Sequence, residues 1–346
     1  MPGRGLLGAG ETHRLRRVSQ HPAPPSQPAP ASPPAGGSPD PAALGAVWQR
    51  LPANTRGAVW VLLAAAGFST MAALVKDLGH DLPSLQIAFF RCAVGLAVVA
   101  PLVARVVVRA GPEVLKSRAW KLHLARALVG ITAIGCGFYA FTHLPLATAT
   151  AITFTTPLFM VVLAVLVLRE TVRWRRWTAT MVGFVGVLVM VRPGAGTLDP
   201  AVLVALTQAL AVATALVLVK KLPKAESSLT IMAYFTVLST AAAAIPAAVV
   251  WQPMEAHHWL LALAVGLFGV GSQWALIMGY RVGEASAVAP FDYTKLLFAG
   301  LLGIALFGEV PDGWTLVGAA IIVAATVYIA RREAGAGAPA TPGPVP

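Results

Sequence analysis

The chain has 346 residues, 57% of them hydrophobic and only 12% charged. A soluble domain carries roughly 25% charged residues, because water must wet its surface, so a soluble two-domain enzyme is excluded and a polytopic membrane protein is expected. The net charge of +12, from 26 Lys and Arg against 14 Asp and Glu, would suit nucleic-acid binding if the cations were not dispersed through short loops between apolar runs.

Residues 1–52 form the first element, a tail expected to be cytoplasmic. His21 to Ala43 is mostly Pro, Ala, Ser and Gly, with too little bulky apolar surface to offset its ordering entropy, so disorder is expected. Arg16-Arg17 is not read as a twin-arginine export signal, since no apolar stretch follows closely. No cleavable signal peptide is expected either. Ten apolar runs follow, each near the roughly 20 residues a helix needs to cross a bilayer core. They lie near 57–75, 86–107, 124–142, 147–168, 177–191, 200–219, 229–250, 259–279, 286–307 and 314–330. Residues 333–346 are expected to be a second disordered tail.

Charge placement supports ten spans. If the N-terminus is cytoplasmic, 22 of the 26 Lys and Arg fall in the tails and the loops on the cytoplasmic side. Lys76 and Arg192 fall outside, and Arg91 and Lys295 lie within spans. Such an alternating asymmetry is the positive-inside pattern, and it removes the need for nucleic acid. Cys92 and Cys136 sit in apolar runs and imply no disulfide framework. The His and acidic residues show no cluster at metal-ligand spacing, so neither a metal nor a cofactor is expected.

The two halves repeat. Leu74-Val75-Lys76-Asp77-Leu78 matches Leu218-Val219-Lys220-Lys221-Leu222, and Ser84-Leu85-Gln86-Ile87 matches Ser228-Leu229-Thr230-Ile231, both at an offset of 144. Later the offset falls to 138 or 139, where Ala147 matches Ala285 and Glu170 matches Glu309. The expected fold is all-α, a 5+5 inverted repeat of residues 57–192 and 199–332, because an odd number of helices turns the second copy over. Opposed halves of this kind rock about a midplane site and give alternating access.

The residues that carry a family likeness are Phe89-Phe90-Arg91 opening span 2, Pro157 in span 4, and Glu170 and Glu309 closing spans 4 and 9. The chain resembles the drug/metabolite transporter superfamily, in particular its ten-helix EamA-type members, over about residues 57–333. Ala289-Pro290-Phe291-Asp292-Tyr293-Thr294 is similar to the Pro-Phe-x-Tyr-Thr stretch of members proposed to move S-adenosylmethionine or riboflavin, so Tyr293 joins the candidate site. The resemblance implies a cavity lined mainly by spans 1, 3, 4, 6, 8 and 9.

Polar groups inside spans are the candidate site, because a charge at the bilayer centre costs about 2.5–3.5 kcal/mol on insertion scales. Asp292 and Lys295 stand at i and i+3, on one face of span 9 if it is continuous. In one reading Asp292 couples protons or binds an amine, and Lys295 meets an acidic group of the cargo. In the other they neutralise each other. Arg91, about 10 Å into span 2, is a further substrate-binding candidate or a packing Arg with its head at the interface. Pro157 and Pro290 each remove a helix hydrogen bond, and interrupted helices in corresponding segments point to a binding site. At an offset of 139, Thr153 and Thr156 take the places of Asp292 and Lys295. Their hydroxyls are free for cargo or bond back to their own helix. Gln273, Trp274 and Tyr139 are candidates to hold a planar cargo. Glu170 and Glu309 are read as structural, with gating as the alternative.

A membrane enzyme would need a nucleophile with a base, or a metal set, at mid-depth, and none is visible. The expectation is a multi-pass inner-membrane secondary transporter of a small organic metabolite, with both termini cytoplasmic and a proton as candidate coupling ion. An ion-independent facilitator or exchanger of an S-adenosylmethionine-like or flavin-like cargo is the alternative. Its partners are the substrate and the bilayer, and a monomer and a homodimer both fit.

Overall fold

The computed structural model describes residues 48–49, 51–167, 169, 174–191, 199–223 and 226–336. Among them all regular structure is helical. The spanning elements in order are α1 (Ala53–Leu78), α2 (Ser84–Ala110), α3 (Trp120–His143), α4a (Leu146–Thr153) with α4b (Thr156–Leu166), α5 (Trp174–Val191), α6 (Pro200–Lys221), α7 (Ser228–Val249), α8 (Ala256–Val282), α9a (Ala285–Val288) with a 3-10 turn (Ala289–Tyr293) and α9b (Thr294–Phe307), and α10 (Gly313–Ala336). Eight of these spans are long and apolar enough to cross a membrane, and α5 and α10 carry shorter apolar stretches, Trp177–Met190 and Gly313–Tyr328. The protein is thus a ten-helix, multi-pass membrane protein. α10 runs four residues into the segment expected to be a disordered tail. The expectations for residues 1–47 and 337–346 lie outside the described residues.

The helix ends follow local chemistry. Pro83, Pro145 and Pro200 stand at or just before helix starts, where a missing N–H costs nothing. Asp199 and Ser227 cap α6 and α7 by accepting from Ala201 N and Thr230 N at 2.8 and 3.0 Å. Gly308, at φ 66°, ends α9b in the left-handed conformation that glycine adopts without strain.

Packing reveals the repeat. α1 lies along α8, and its counterpart α6 lies along α3; α2 packs on α7, α4a on α9b, and α5 on α10. Adding or subtracting five maps this pattern onto itself, as a two-fold relation between inverted halves requires. The buried interior is built largely of alanine, including Ala64, Ala65, Ala205, Ala209, Ala213 and Ala299. Small side chains let helices approach where lipid gives no hydrophobic drive between them. Large apolar residues such as Leu63, Val108, Leu188, Ile245, Val249 and Leu260 face outward, which suits acyl chains rather than water.

Candidate functional site

Both α4 and α9 are broken, at matching places. α4a stops at Thr153, Phe154 and Thr155 turn, and α4b restarts at Thr156. α9b restarts at Thr294 after the 3-10 turn. Thr156 and Thr294 are 138 positions apart, within one residue of the 139 that relates Glu170 to Glu309 in this part of the repeat. Pro157 sits in the first turn of α4b and Pro290 in the first turn of the 3-10 segment, positions where the start of a helix leaves the N–H without an intrahelical partner. The prolines do not share the register, but the breaks do.

Each break is satisfied by hydroxyls. Thr153, Thr155 and Thr156 donate to the carbonyls of Thr150, Ile152 and Thr153 at 2.7, 2.7 and 2.8 Å. Thr326 of α10 donates to Phe154 O at 3.1 Å. Across the molecule Thr294 donates to Phe291 O at 2.6 Å, and Ser69 of α1 donates to Lys295 O at 3.1 Å. Freed backbone groups at membrane depth need such partners. The hydroxyls of Thr153 and Thr156 therefore bond back to their own chain. Phe154 and Tyr293 meet across the two breaks with centroids 5.1 Å apart.

The charged pair stands at this junction. Lys295 Nζ lies 2.5 Å from Asp292 Oδ1, an ion pair without hydrogen-bond alignment. Asp292 belongs to the 3-10 turn and Lys295 to the first turn of α9b, so the two do not share one continuous α-helical face. A 3-10 turn stacks i over i+3 more directly than an α-helix does, which draws the pair together. Lys295 Nζ also lies over the Phe68 ring, 4.9 Å from its centroid. Both charged side chains keep partial exposure, 27% for Asp292 and 19% for Lys295. Tyr280 of α8 lies within electrostatic reach of Asp292 and Tyr293. Phe68, Ser69, Phe154 and Tyr280 were not singled out by sequence; Phe154 could have been, as the position matching Tyr293 at an offset of 139.

Other expected residues lie elsewhere. Arg91 runs against the Gly269 backbone of α8 beside Met71 of α1. Met71 is three residues beyond Phe68, about 4.5 Å along α1, so the contacts that Arg91 and Lys295 make lie on successive turns of that helix. Tyr139 packs on the apolar cluster that holds Phe154 and Tyr293, while its ring stacks on His143 at 3.8 Å. Trp274 is paired edge-on with Trp60 at 5.1 Å and is half exposed. Gln273 is exposed beside it. These contacts tie Trp274 to Trp60, and none joins Trp274 or Gln273 to Asp292. Glu170 lies outside the described residues.

Lys76, taken from sequence as an outer loop charge, is buried. Its Nζ lies 2.6 Å from Glu309 Oε1 and donates to Leu144 O at 2.8 Å. Its position as one of two basic residues on the sparsely charged side was the available signal. At that same end Gln86 exchanges two hydrogen bonds with the Gln252 backbone, at 2.9 and 3.0 Å. There the fold also gathers Asp81, His257 and His258, which the sequence left scattered. His258 Nδ1 accepts from Glu255 N at 3.1 Å, so its Nε2 carries the proton and faces Asp81 Oδ2 at 3.2 Å. That geometry is a hydrogen-bonded helix cap. At the opposite end buried His123 contacts Glu226 at 2.6 Å, and Glu226 also accepts from Ser117.

Residues 55–192 and 199–331 each match the EamA-like transporter family. An S-adenosylmethionine uptake transporter of Rickettsia bellii is 34% identical over 286 residues, covering 80% of this chain and 94% of that protein. A riboflavin transporter of Vibrio cholerae is 32% identical, covering 80% and 94%. A pseudopaline exporter of Pseudomonas aeruginosa is 29% identical, covering 81% and 97%. A solved crystal structure with 20% identity shares the fold at a TM-score of 0.52, covering 81% of this chain and 99% of that one.

Proposed function

Because the chain belongs to the EamA-like transporter family and is a carrier of small metabolites, we propose that the cargo binds where the broken helices α4 and α9 meet, at Asp292, Lys295 and Tyr293. The observation that carries this is the coincidence of three features at one junction: two breaks in repeat register, the Phe154–Tyr293 contact, and an intramembrane ion pair. Half-helix ends aimed at a midplane site are how carriers meet polar cargo inside a bilayer.

The cargo class we favour is a heteroaromatic metabolite with a cationic centre, as in S-adenosylmethionine. Lys295 already lies over the Phe68 ring, and Tyr280 and Tyr293 bring further aromatic side chains within electrostatic reach of Asp292. Asp292 takes the cation while Lys295 turns to an acidic group of the cargo. Arg91, held between α1 and α8, serves a second acidic group. The repeats at 57–192 and 199–332 are the two moving halves, and the cargo leaves chemically unchanged. Both termini face the cytoplasm across the inner membrane, as the Lys and Arg distribution supports.

A proton takes the place of the cation on Asp292 in the return step. Ion-independent exchange is the second reading, supported by the internal neutrality of the Asp292–Lys295 pair. The test is uptake of labelled S-adenosylmethionine and riboflavin into vesicles holding the purified protein, with and without a proton gradient. Saturable uptake with counterflow is expected for S-adenosylmethionine, and gradient dependence selects the coupled form. Absence of saturable movement for both compounds would defeat the proposed cargo class.

A further inference from the structure

We propose that Lys76 and Glu309 form a gate on the face where α1 and α9b end, opened and closed once in each transport cycle. This rests on the alternating-access reading and is independent of the cargo proposed above. The gate joins the halves: Lys76 ends α1 of the first repeat and Glu309 follows α9b of the second. Lys76 Nζ meets Glu309 Oε1 at 2.6 Å and Leu144 O at 2.8 Å. Glu309 Oε2 accepts from Leu146 N, the first residue of α4a, at 2.8 Å. Both carboxylate oxygens and the ammonium are thus engaged, and α1, α4a and α9b are drawn together at their ends.

The carboxylate is aimed by its own backbone. Gly308 turns the chain at φ 66°, and Glu309 N donates to Gly303 O at 3.0 Å. A side chain at Gly303 would crowd Glu309 Oε2. Beneath the pair lies a dry plug of Ala72, Ala73, Leu146 and Ala299. Ala299 is four residues, one turn, from Lys295 on α9b. The plug therefore separates the charged junction from this face.

The use of charge here distinguishes a gate from a brace. Apolar packing of similar volume holds buried helix ends together as well as an ion pair does, or better. An apolar seam, however, resists opening to water, whereas Lys76 and Glu309 are each well hydrated once apart. A buried pair that must part repeatedly is better made of ions.

The experiment needs no cargo. In a Cys92→Ala, Cys136→Ala background, Ala299→Cys reports access through the plug to a membrane-impermeant maleimide. The purified protein is held in vesicles, and reagent is added to each face in turn. With Lys76 and Glu309 present, labelling from the α1-end face is expected to be slow. Glu309→Gln and Lys76→Met should raise it several-fold from that face alone, and Lys76→Arg, which keeps charge and donors, should stay near the original rate. Unchanged labelling in Glu309→Gln that elutes as folded protein would overturn the gate. If Glu309→Gln does not fold, Glu309→Asp, whose shorter carboxylate cannot reach both partners, is read the same way. If every variant at both positions fails to fold, the pair is a folding brace and the gate is equally overturned. A cargo-site failure would leave these labelling rates untouched.

Discussion

Phe154 and Tyr293 stand 139 positions apart in the chain and touch at 5.1 Å, each at the point where its membrane helix is broken. They occupy equivalent places in the two repeats, so their contact marks where the axis relating the halves passes through the protein. Equivalent positions carry different chemistry there. The first repeat offers Thr153 and Thr156, whose hydroxyls are spent on their own backbone. The second offers Asp292 and Lys295. Duplication supplied two breaks, and one of them holds the ionisable groups.

Asp292→Asn should therefore abolish transport while leaving folded protein in the membrane. Asparagine keeps the size of the side chain and removes the charge that pairs with Lys295 and that the proposed cationic cargo would meet. Uptake into vesicles is the measurement, with gel filtration to confirm a folded carrier. Undiminished uptake would retire Asp292 as the coupling or binding carboxylate. Thr153→Val, at the matching position of the first repeat, should leave transport standing, because its hydroxyl proton is spent on Thr150 O.

The break in α4 depends on a neighbour in the same way. Thr326 Oγ1 stands 3.1 Å from Phe154 O and 2.8 Å from Ile322 O, sharing its one proton between them, and the group is buried. Thr326→Val preserves volume and leaves Phe154 O without that donor. An unsatisfied buried carbonyl costs about 1–3 kcal/mol, so the thermal midpoint of the purified protein should fall. A midpoint equal to the parent's would mean that the break does not need this bond.

Much of this was legible in the sequence, and the reasons are physical. Hydropathy and Lys/Arg placement report the bilayer directly, so the ten spans and their repeat could be read. Asp292 and Lys295 announced themselves by the cost of charge in lipid. Lys76 did not, because sequence shows a residue at the end of a helix but not what approaches it, and Glu309 is 233 positions away. For the same reason the meeting of Asp81 with His258 and of His123 with Glu226 was invisible. That Trp274, read as a candidate to hold a planar cargo, stands edge-on to Trp60 of another helix could not be seen either.

Close approach of α1 to α8 sets a limit on side-chain size. A Cβ on Gly279 would collide with Val61 and crowd the Gly57 backbone, whereas one on Gly271 of the same helix meets open space. Gly279→Val should destabilise the protein by about 1–3 kcal/mol or more, as overpacking does. Gly271→Ala should be neutral or slightly stabilising, since alanine favours the helix. Thermal midpoints of the two variants, compared with the parent, check the contrast; equal midpoints would mean that α1 and α8 can part without loss.

The inverted repeat itself makes a prediction about sides. α2 ends before Lys116, and α6 ends at Lys221, so four crossings separate these exposed residues. Gln252, between α7 and α8, and His257, in the first turn of α8, lie one crossing further on. Single cysteines at Lys116 and Lys221 should react with an impermeant reagent from one face, and a cysteine at His257 from the other. If the charge asymmetry sets orientation, the face shared by Lys116 and Lys221 is the cytoplasmic one. Labelling of Lys116→Cys and Lys221→Cys from opposite faces would mean that the halves are joined by an odd number of crossings between these points. The register relating Phe154 to Tyr293 would then have no two-fold axis to explain it.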